Sequence, residues 1–175
     1  NMLSRDSGEV LWNGAPLDTA SCNVGYLAEE RGLYPKYTLM DQLIYFAELK
    51  GIKHKDAIKA IDYWLDRLDM TEYRKKSLDT LSKGNQQKIQ LITALAHNPD
   101  IVILDMNMPE RDGLQALQDI EALGLGTKVL VLSGYDDADL IFRAMKLGAK
   151  GYILKTMASA QLIYSIQEVL SGKIY

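Results

Sequence analysis

Apolar positions change their spacing near Asp100. Between Thr38 and Gly51, Leu39, Leu43, Ile44, Phe46, Ala47 and Leu49 recur at helical spacing, and Thr38 with Asp41 forms an approximate capping box. A second amphipathic helix is predicted from about Lys55 to Leu68, with Ile58, Ile61, Trp64, Leu65 and Leu68 on one face and charged residues on the other. A third starts near Ser82, carries Ile89, Ile92, Leu95 and Ala96, and is ended by Asn98-Pro99. Before these helices, Gly8 to Asn13 reads as a short strand ending at the turn signal Asn13-Gly14, and Asn23 to Leu27 as another strand. From Asp100 onward, strand and helix alternate with short connections. The strands are Ile101 to Asp105, Lys128 to Ser133 and Gly151 to Leu154; the helices are about Gly113 to Leu123, Asp137 to Leu147 and Ala158 to Ser171. Such alternation predicts a parallel sheet covered on both faces, here carrying an all-helical insert over about residues 38–98.

Composition narrows the function classes. A chain of 175 residues, 47% apolar and 25% charged, is sized for one core. Its formal net charge of −3 disfavours nucleic acid and anionic membranes as partners. The single cysteine, Cys22, excludes an internal disulfide and fits a cytoplasmic setting, although near a sheet edge it could bridge two molecules. His54 and His97 lie in no ligand-spaced cluster, so a structural metal is not expected. No apolar stretch approaches the roughly 18 to 20 residues that span a bilayer, so direct membrane insertion is not expected either. The N-terminus shows no signal-peptide pattern, and a start at Asn1 suggests trimming or a tag.

Two constellations carry chemistry. Ser82, Gly84 and Asn85 put a hydroxyl, a pliable backbone and unpaired amides at a helix N-terminus, where phosphate is favoured. Alone this is an N-cap. Asp105, Ser133 and Lys155 each end a strand, and in a parallel sheet the carboxyl ends of the strands gather ligands, so one fold rule brings together a carboxylate, a hydroxyl and an ammonium. If the Asn23 to Leu27 strand lies beside that of Asp105, Glu29 and Glu30 reach the same sheet edge, and either could join Asp105 in an oxygen-ligand site for Mg²⁺.

Over about residues 7–105, Leu81-Ser82-Lys83-Gly84-Asn85-Gln86-Gln87-Lys88, then His97-Asn98-Pro99-Asp100 and the strand ending at Asp105, resemble the signature helix and Walker B strand of ABC-transporter ATP-binding subunits. Tyr26-Leu27 followed by Glu29-Glu30-Arg31-Gly32-Leu33-Tyr34-Pro35 is similar to that family's Q-loop region. The resemblance implies that Ser82 and Gly84 would hold the γ-phosphate of a nucleotide on an intact ABC ATPase partner subunit. There is no G-x-x-x-x-G-K-[ST] loop, and Met106 stands where the family has its catalytic glutamate, so ATP is not an expected ligand and autonomous ATP hydrolysis is not expected.

Over about residues 100–175, Asp105-Met106-Asn107-Met108-Pro109, Gly113, Ser133-Gly134 and Gly148-Ala149-Lys150-Gly151-Tyr152, with Lys155, resemble the later strands of a bacterial response-regulator receiver domain. This resemblance implies Asp105 as phosphoacceptor, Ser133 as the hydroxyl that follows the phosphoryl group, Lys155 as its ion-pair partner, Tyr152 as an aromatic switch and the Asn107 carbonyl as a Mg²⁺ ligand. The receiver's first half, with its acidic pair, is missing. Together the two resemblances imply a chimera meeting at Asp105: an ABC-like fragment over 1–99 and a receiver-like half over 100–175 completing one α/β sheet, a three-layer hybrid of flavodoxin-like and P-loop-like cores. Three functions are compatible with that composition. The chain could be a recombined or designed scaffold without selected activity. It could be a phosphoacceptor in a phosphorelay, served by a histidine kinase or a small phosphodonor. It could contribute a signature motif in trans to an ABC ATPase. With no helix-turn-helix segment after Tyr175, direct transcriptional control is not expected, and apolar faces left by the missing P-loop core suggest a homodimer.

Overall fold

The computed structural model describes residues 11–12, 15–16, 23–27, 32–106 and 113–175. Strands β1 (Leu11–Trp12) and β2 (Ala15–Pro16) pair antiparallel, so Leu11 and Trp12 of the predicted first strand are extended as expected, while its other residues lie outside the described ones. Strands β3 (Val24–Leu27), β4 (Ile101–Asp105), β5 (Lys128–Ser133) and β6 (Gly151–Leu154) form a parallel sheet in that order. Val24 to Leu27 lie opposite Ile101 to Leu104, so the strand from the ABC-like stretch adds directly to those of the receiver-like stretch. The architecture is the α/β hybrid that the sequence predicts, with helices on both faces of a parallel sheet.

Between β3 and β4 come α1 (Leu39–Leu49), α2 (His54–Arg67) and α3 (Lys83–Leu95). The Thr38 hydroxyl oxygen accepts the Asp41 N–H at 3.2 Å, capping α1, while its own proton goes to the Asp41 carboxylate at 2.5 Å. Two short 3-10 turns, Thr71–Tyr73 and Leu78–Thr80, link α2 to α3; no hydrophobic period announces turns this short. Buried Gln42 and Gln86 replace missing backbone partners in these connections. Gln42 accepts the Tyr34 N–H and donates to the Tyr34 and Tyr37 carbonyls, and Gln86 donates to the Leu78 and Leu81 carbonyls.

After β4 follow α4 (Gly113–Ala122), α5 (Ala138–Lys146) and α6 (Ala158–Leu170). The pleat divides the core. Val102, Leu104, Val129 and Val131 pack with α3, α4 and α5 in a cluster that continues into α1 and α2, whereas Ile101, Ile103, Leu130 and Ile153 meet Ile166 and Val169 of α6. Both faces of β4 are therefore covered, which explains its unbroken apolar run. At the β6 edge, Tyr175 accepts the Tyr152 N–H and donates to Lys150, covering backbone groups that would otherwise be exposed.

Helix α3 lies against β3 so closely that a Cβ on Gly25 would sit 2.6 Å from the Ala94 carbonyl oxygen and 3.0 Å from a Val102 methyl. The nearest obstacle is a main-chain carbonyl of α3, so no rotamer change can relieve it. Gly25→Ala is expected to cost about 1–3 kcal/mol, read as a lowered urea midpoint; an unchanged midpoint would mean that the seam tolerates separation.

Candidate functional site

Register assembles the site at the carboxyl end of the sheet. Asp105 lies opposite Leu132, Ser133 opposite Leu154, and the Lys155 N–H donates to the Ser133 carbonyl at 2.7 Å. Alternation then sorts the predicted residues into two pairs. Asp105 continues the face of Ile101 and Ile103, and Lys155 that of Gly151 and Ile153; their side chains meet, with Lys155 Nζ 2.9 Å from Asp105 Oδ2. The Asp105 side chain is 4% exposed and that of Lys155 34%, so a sequestered carboxylate is joined to solvent by the ammonium.

Ser133 and Tyr152 point to the opposite face, toward α4 and α5. Ser133 is fully buried, and its Oγ accepts the Tyr135 N–H at 3.1 Å. The Tyr152 hydroxyl donates to the Tyr135 carbonyl at 2.9 Å, so the Tyr135 peptide holds both side chains. Burial pushes the Tyr152 phenol above its ordinary value; its hydrogen bond with Ser133 acts in the other direction, and the Asp137 and Asp136 charges add to the rise. The phenol is therefore a neutral donor around neutral pH. Tyr135 was invisible as a site residue because it contributes through its peptide, which no side-chain motif reports.

Gly113 fixes the return of the chain after β4. A Cβ there would lie 2.6 Å from Met106 Sδ and 2.8 Å from Met106 Cα, so the first turn of α4 rests on the residue beside Asp105. That contact supplies a physical reason for a glycine eight residues beyond the carboxylate. Glu29, Glu30 and Asn107, the other predicted Mg²⁺ ligands, lie outside the described residues. Among the described residues no group of three or more His, Cys, Asp or Glu side chains could hold a metal ion.

The signature residues lie elsewhere, at the start of α3. Ser82 caps the helix by accepting the Asn85 N–H at 3.3 Å, while Lys83 and Gly84 are exposed. Leu81 and Gln86 are buried and serve the fold, Leu81 in the core and Gln86 through its two carbonyl contacts. A polar depression of about 520 Å³ lined by Asn98, Asp100, Thr127 and Lys128 is at the amino end of the strands, opposite Asp105. No helix among the described residues is long and apolar enough to cross a membrane.

A buried carboxylate at a strand end, with a lysine across the sheet, can attack an electrophilic phosphorus and have the incoming negative charge met by the ammonium. The comparisons with known proteins bear on both halves of the chain. The response regulator receiver domain family matches residues 54–167, a span that begins at the first residue of α2. An uncharacterized ABC transporter ATP-binding protein, YhaQ of Bacillus subtilis, is 49% identical over 105 residues, 59% of this chain and 35% of that protein. The oxygen regulatory protein NreC of Staphylococcus epidermidis is 43% identical over 82 residues, 46% of this chain and 38% of that protein. The chain thus spans little more than a third of the length of either relative. The solved structure of cbiO1 from Clostridium perfringens, part of the ABC transporter complex cbiONQ, covers 96% of this chain and 74% of its own at 16% identity and a TM-score of 0.56, a likeness of fold alone. The chain belongs to the response regulator receiver domain family, and it joins to its receiver portion a stretch homologous to ABC transporter ATP-binding proteins.

Proposed function

We propose that the protein is a receiver-type phosphoacceptor that takes a phosphoryl group on Asp105 from a histidine kinase or a small phosphodonor. The observation that carries this reading is the Asp105–Lys155 ion pair at 2.9 Å, built by strands from the receiver-like half at the carboxyl end of the sheet. A carboxylate oxygen of Asp105 forms a bond to phosphorus as the bond from phosphorus to the donor's nitrogen or oxygen breaks, and the donor leaves with that electron pair. Lys155 then pairs with a phosphoryl oxygen, and the Ser133 hydroxyl, now held by Tyr152 on the other face, would have to turn from that contact to reach another.

Asp105 fits a hard divalent cation by donor chemistry, as a buried carboxylate oxygen at a strand end, with the Asn107 carbonyl and Glu29 or Glu30 as the proposed further ligands. Mg²⁺ bound there would neutralise charge on the phosphoryl oxygens. The acquired charge of about −1.5 to −2 must be read by a movable element. The Tyr135 peptide, which holds both Ser133 and Tyr152, is the contact such a charge would compete with first.

The test is intact-mass analysis after incubation with an acyl phosphate and Mg²⁺. The parent chain is expected to gain one phosphoryl group and Asp105→Asn none. Equal uptake by both chains, or uptake by neither, contradicts the reading, and the second outcome leaves a folded scaffold without phosphoacceptor chemistry.

A further inference from the structure

His97 is a buried titratable group that the Asp105 chemistry does not use, and it sits where the helical lobe meets the sheet. It follows α3 and precedes β4. Its Nε2 is 3.3 Å from the Val24 carbonyl oxygen, at the first residue of β3. A carbonyl can only accept, so Nε2 carries the hydrogen and Nδ1 is the nitrogen left to take a second proton. Lys50, at the C-terminal end of α1, donates its ammonium to the same Val24 oxygen at 3.0 Å. One carbonyl therefore serves an imidazole from the α3–β4 connection and an ammonium from α1.

The surroundings keep this arrangement in place while the imidazole is neutral. Asn23 donates its side-chain amide to the His97 and Asn98 carbonyls at 3.1 and 2.7 Å, and its own carbonyl accepts the Asp100 N–H at 2.9 Å. The Asp100 side chain is exposed, while β3 presents a carbonyl to the ring. Among the described residues, the charge acting on the His97 ring is that of Lys50. A proton added at Nδ1 would make the buried ring a second cation, its Nε2–H on the same oxygen as that ammonium.

We propose that His97 and Lys50 form a proton-controlled latch between the helical lobe and β3, closed while His97 is neutral and opened when it is protonated. Burial, then the Lys50 charge, hold the His97 value below 6.5, while its hydrogen bond to Val24 works the other way. The linkage has a definite sign. A depressed value in the folded chain means that the unfolded or opened form binds the proton first, so the latch is intact above about 6.5 and weakens as pH falls through the folded-state value. The released element is the last turn of α1, where Lys50 and Gly51 donate to the Ala47 and Glu48 carbonyls.

The test is proton NMR on the full chain, following the two histidine ring resonances between neutral pH and about pH 5. His97 is expected to titrate below 6.5, and in Lys50→Met its midpoint is expected to move upward. Amide exchange in the same samples, corrected for intrinsic rates, should show the Lys50, Gly51 and Ile52 amides opening more often at the acid end. Where opening takes up one proton at His97, it rises by about tenfold per pH unit below the opened-state value. This dependence is expected to disappear in His97→Gln. A normal His97 midpoint, an unchanged midpoint in Lys50→Met, or corrected exchange that ignores pH would each overturn the latch. Lys50→Met leaves the histidine and its backbone contacts in place, so the test does not depend on His97→Gln folding.

Discussion

Leu104→Ala is expected to lower the folding free energy by about 3 kcal/mol, near the middle of the range for a leucine truncated inside a packed core. Leu104 is fully buried in β4, between Leu27 of β3 and Val131 of β5, and belongs to the cluster that runs from the sheet into α1 and α2. Its cavity would open against three strands and the helices over them, leaving little that can collapse inward. Urea unfolding should show a lowered midpoint with an unchanged slope. With Trp12 replaced by phenylalanine, Trp64, buried in α2, reports on the lobe by fluorescence, while far-UV circular dichroism reports on the whole chain. Coincident transitions are expected in parent and variant because one core serves both parts. Separate transitions would mean that the lobe is an independent unit.

Lys155→Met has the next largest expected effect on stability and a larger one on chemistry. It removes the ammonium 2.9 Å from a carboxylate whose side chain is almost fully buried. Breaking a fully buried pair costs about 3–5 kcal/mol, but Lys155 is 34% exposed, so about 2 kcal/mol is the expected loss. In an Asp105→Asn background the same substitution should cost clearly less, since the charge to be compensated is gone. Equal losses in the two backgrounds would show that Lys155 contributes packing alone. Phosphoryl uptake by Lys155→Met should be slowed well below that of the parent, because the charge that stabilises the transferring oxygens is missing.

The helices were legible because each carries an apolar stripe several turns long, and α1 and α5 begin with side-chain caps at Thr38 and Asp137. The central strands were legible for a different reason: β4 is buried on both faces and reads as five apolar or terminal residues in a row. The turns at Thr71–Tyr73 and Leu78–Thr80 were not, being shorter than any period they could display. Gln42 and Gln86 gave only a faint signal, as amides beside apolar stripes whose partners are backbone groups supplied by folding.

At the site, the strand-end rule brings Asp105, Ser133 and Lys155 to one edge, and register then refines it. Asp105 pairs with Lys155 on one face and Ser133 with Tyr152 on the other, a division that depends on where each strand begins relative to its neighbours. A list of motifs does not contain that information. The Lys50–Val24–His97 contact was likewise hidden, since it joins an exposed lysine and a histidine outside any ligand-spaced motif through a main-chain oxygen.

A working receiver site on a sheet whose edge strand comes from the ABC-like stretch would bind beryllofluoride in the presence of Mg²⁺. Backbone NMR of the parent is expected to show shifts centred on Asp105, Ser133, Tyr152 and Lys155, with no such shifts in Asp105→Asn. The same shifts in both chains, or none in either, would mean that no such site exists at Asp105.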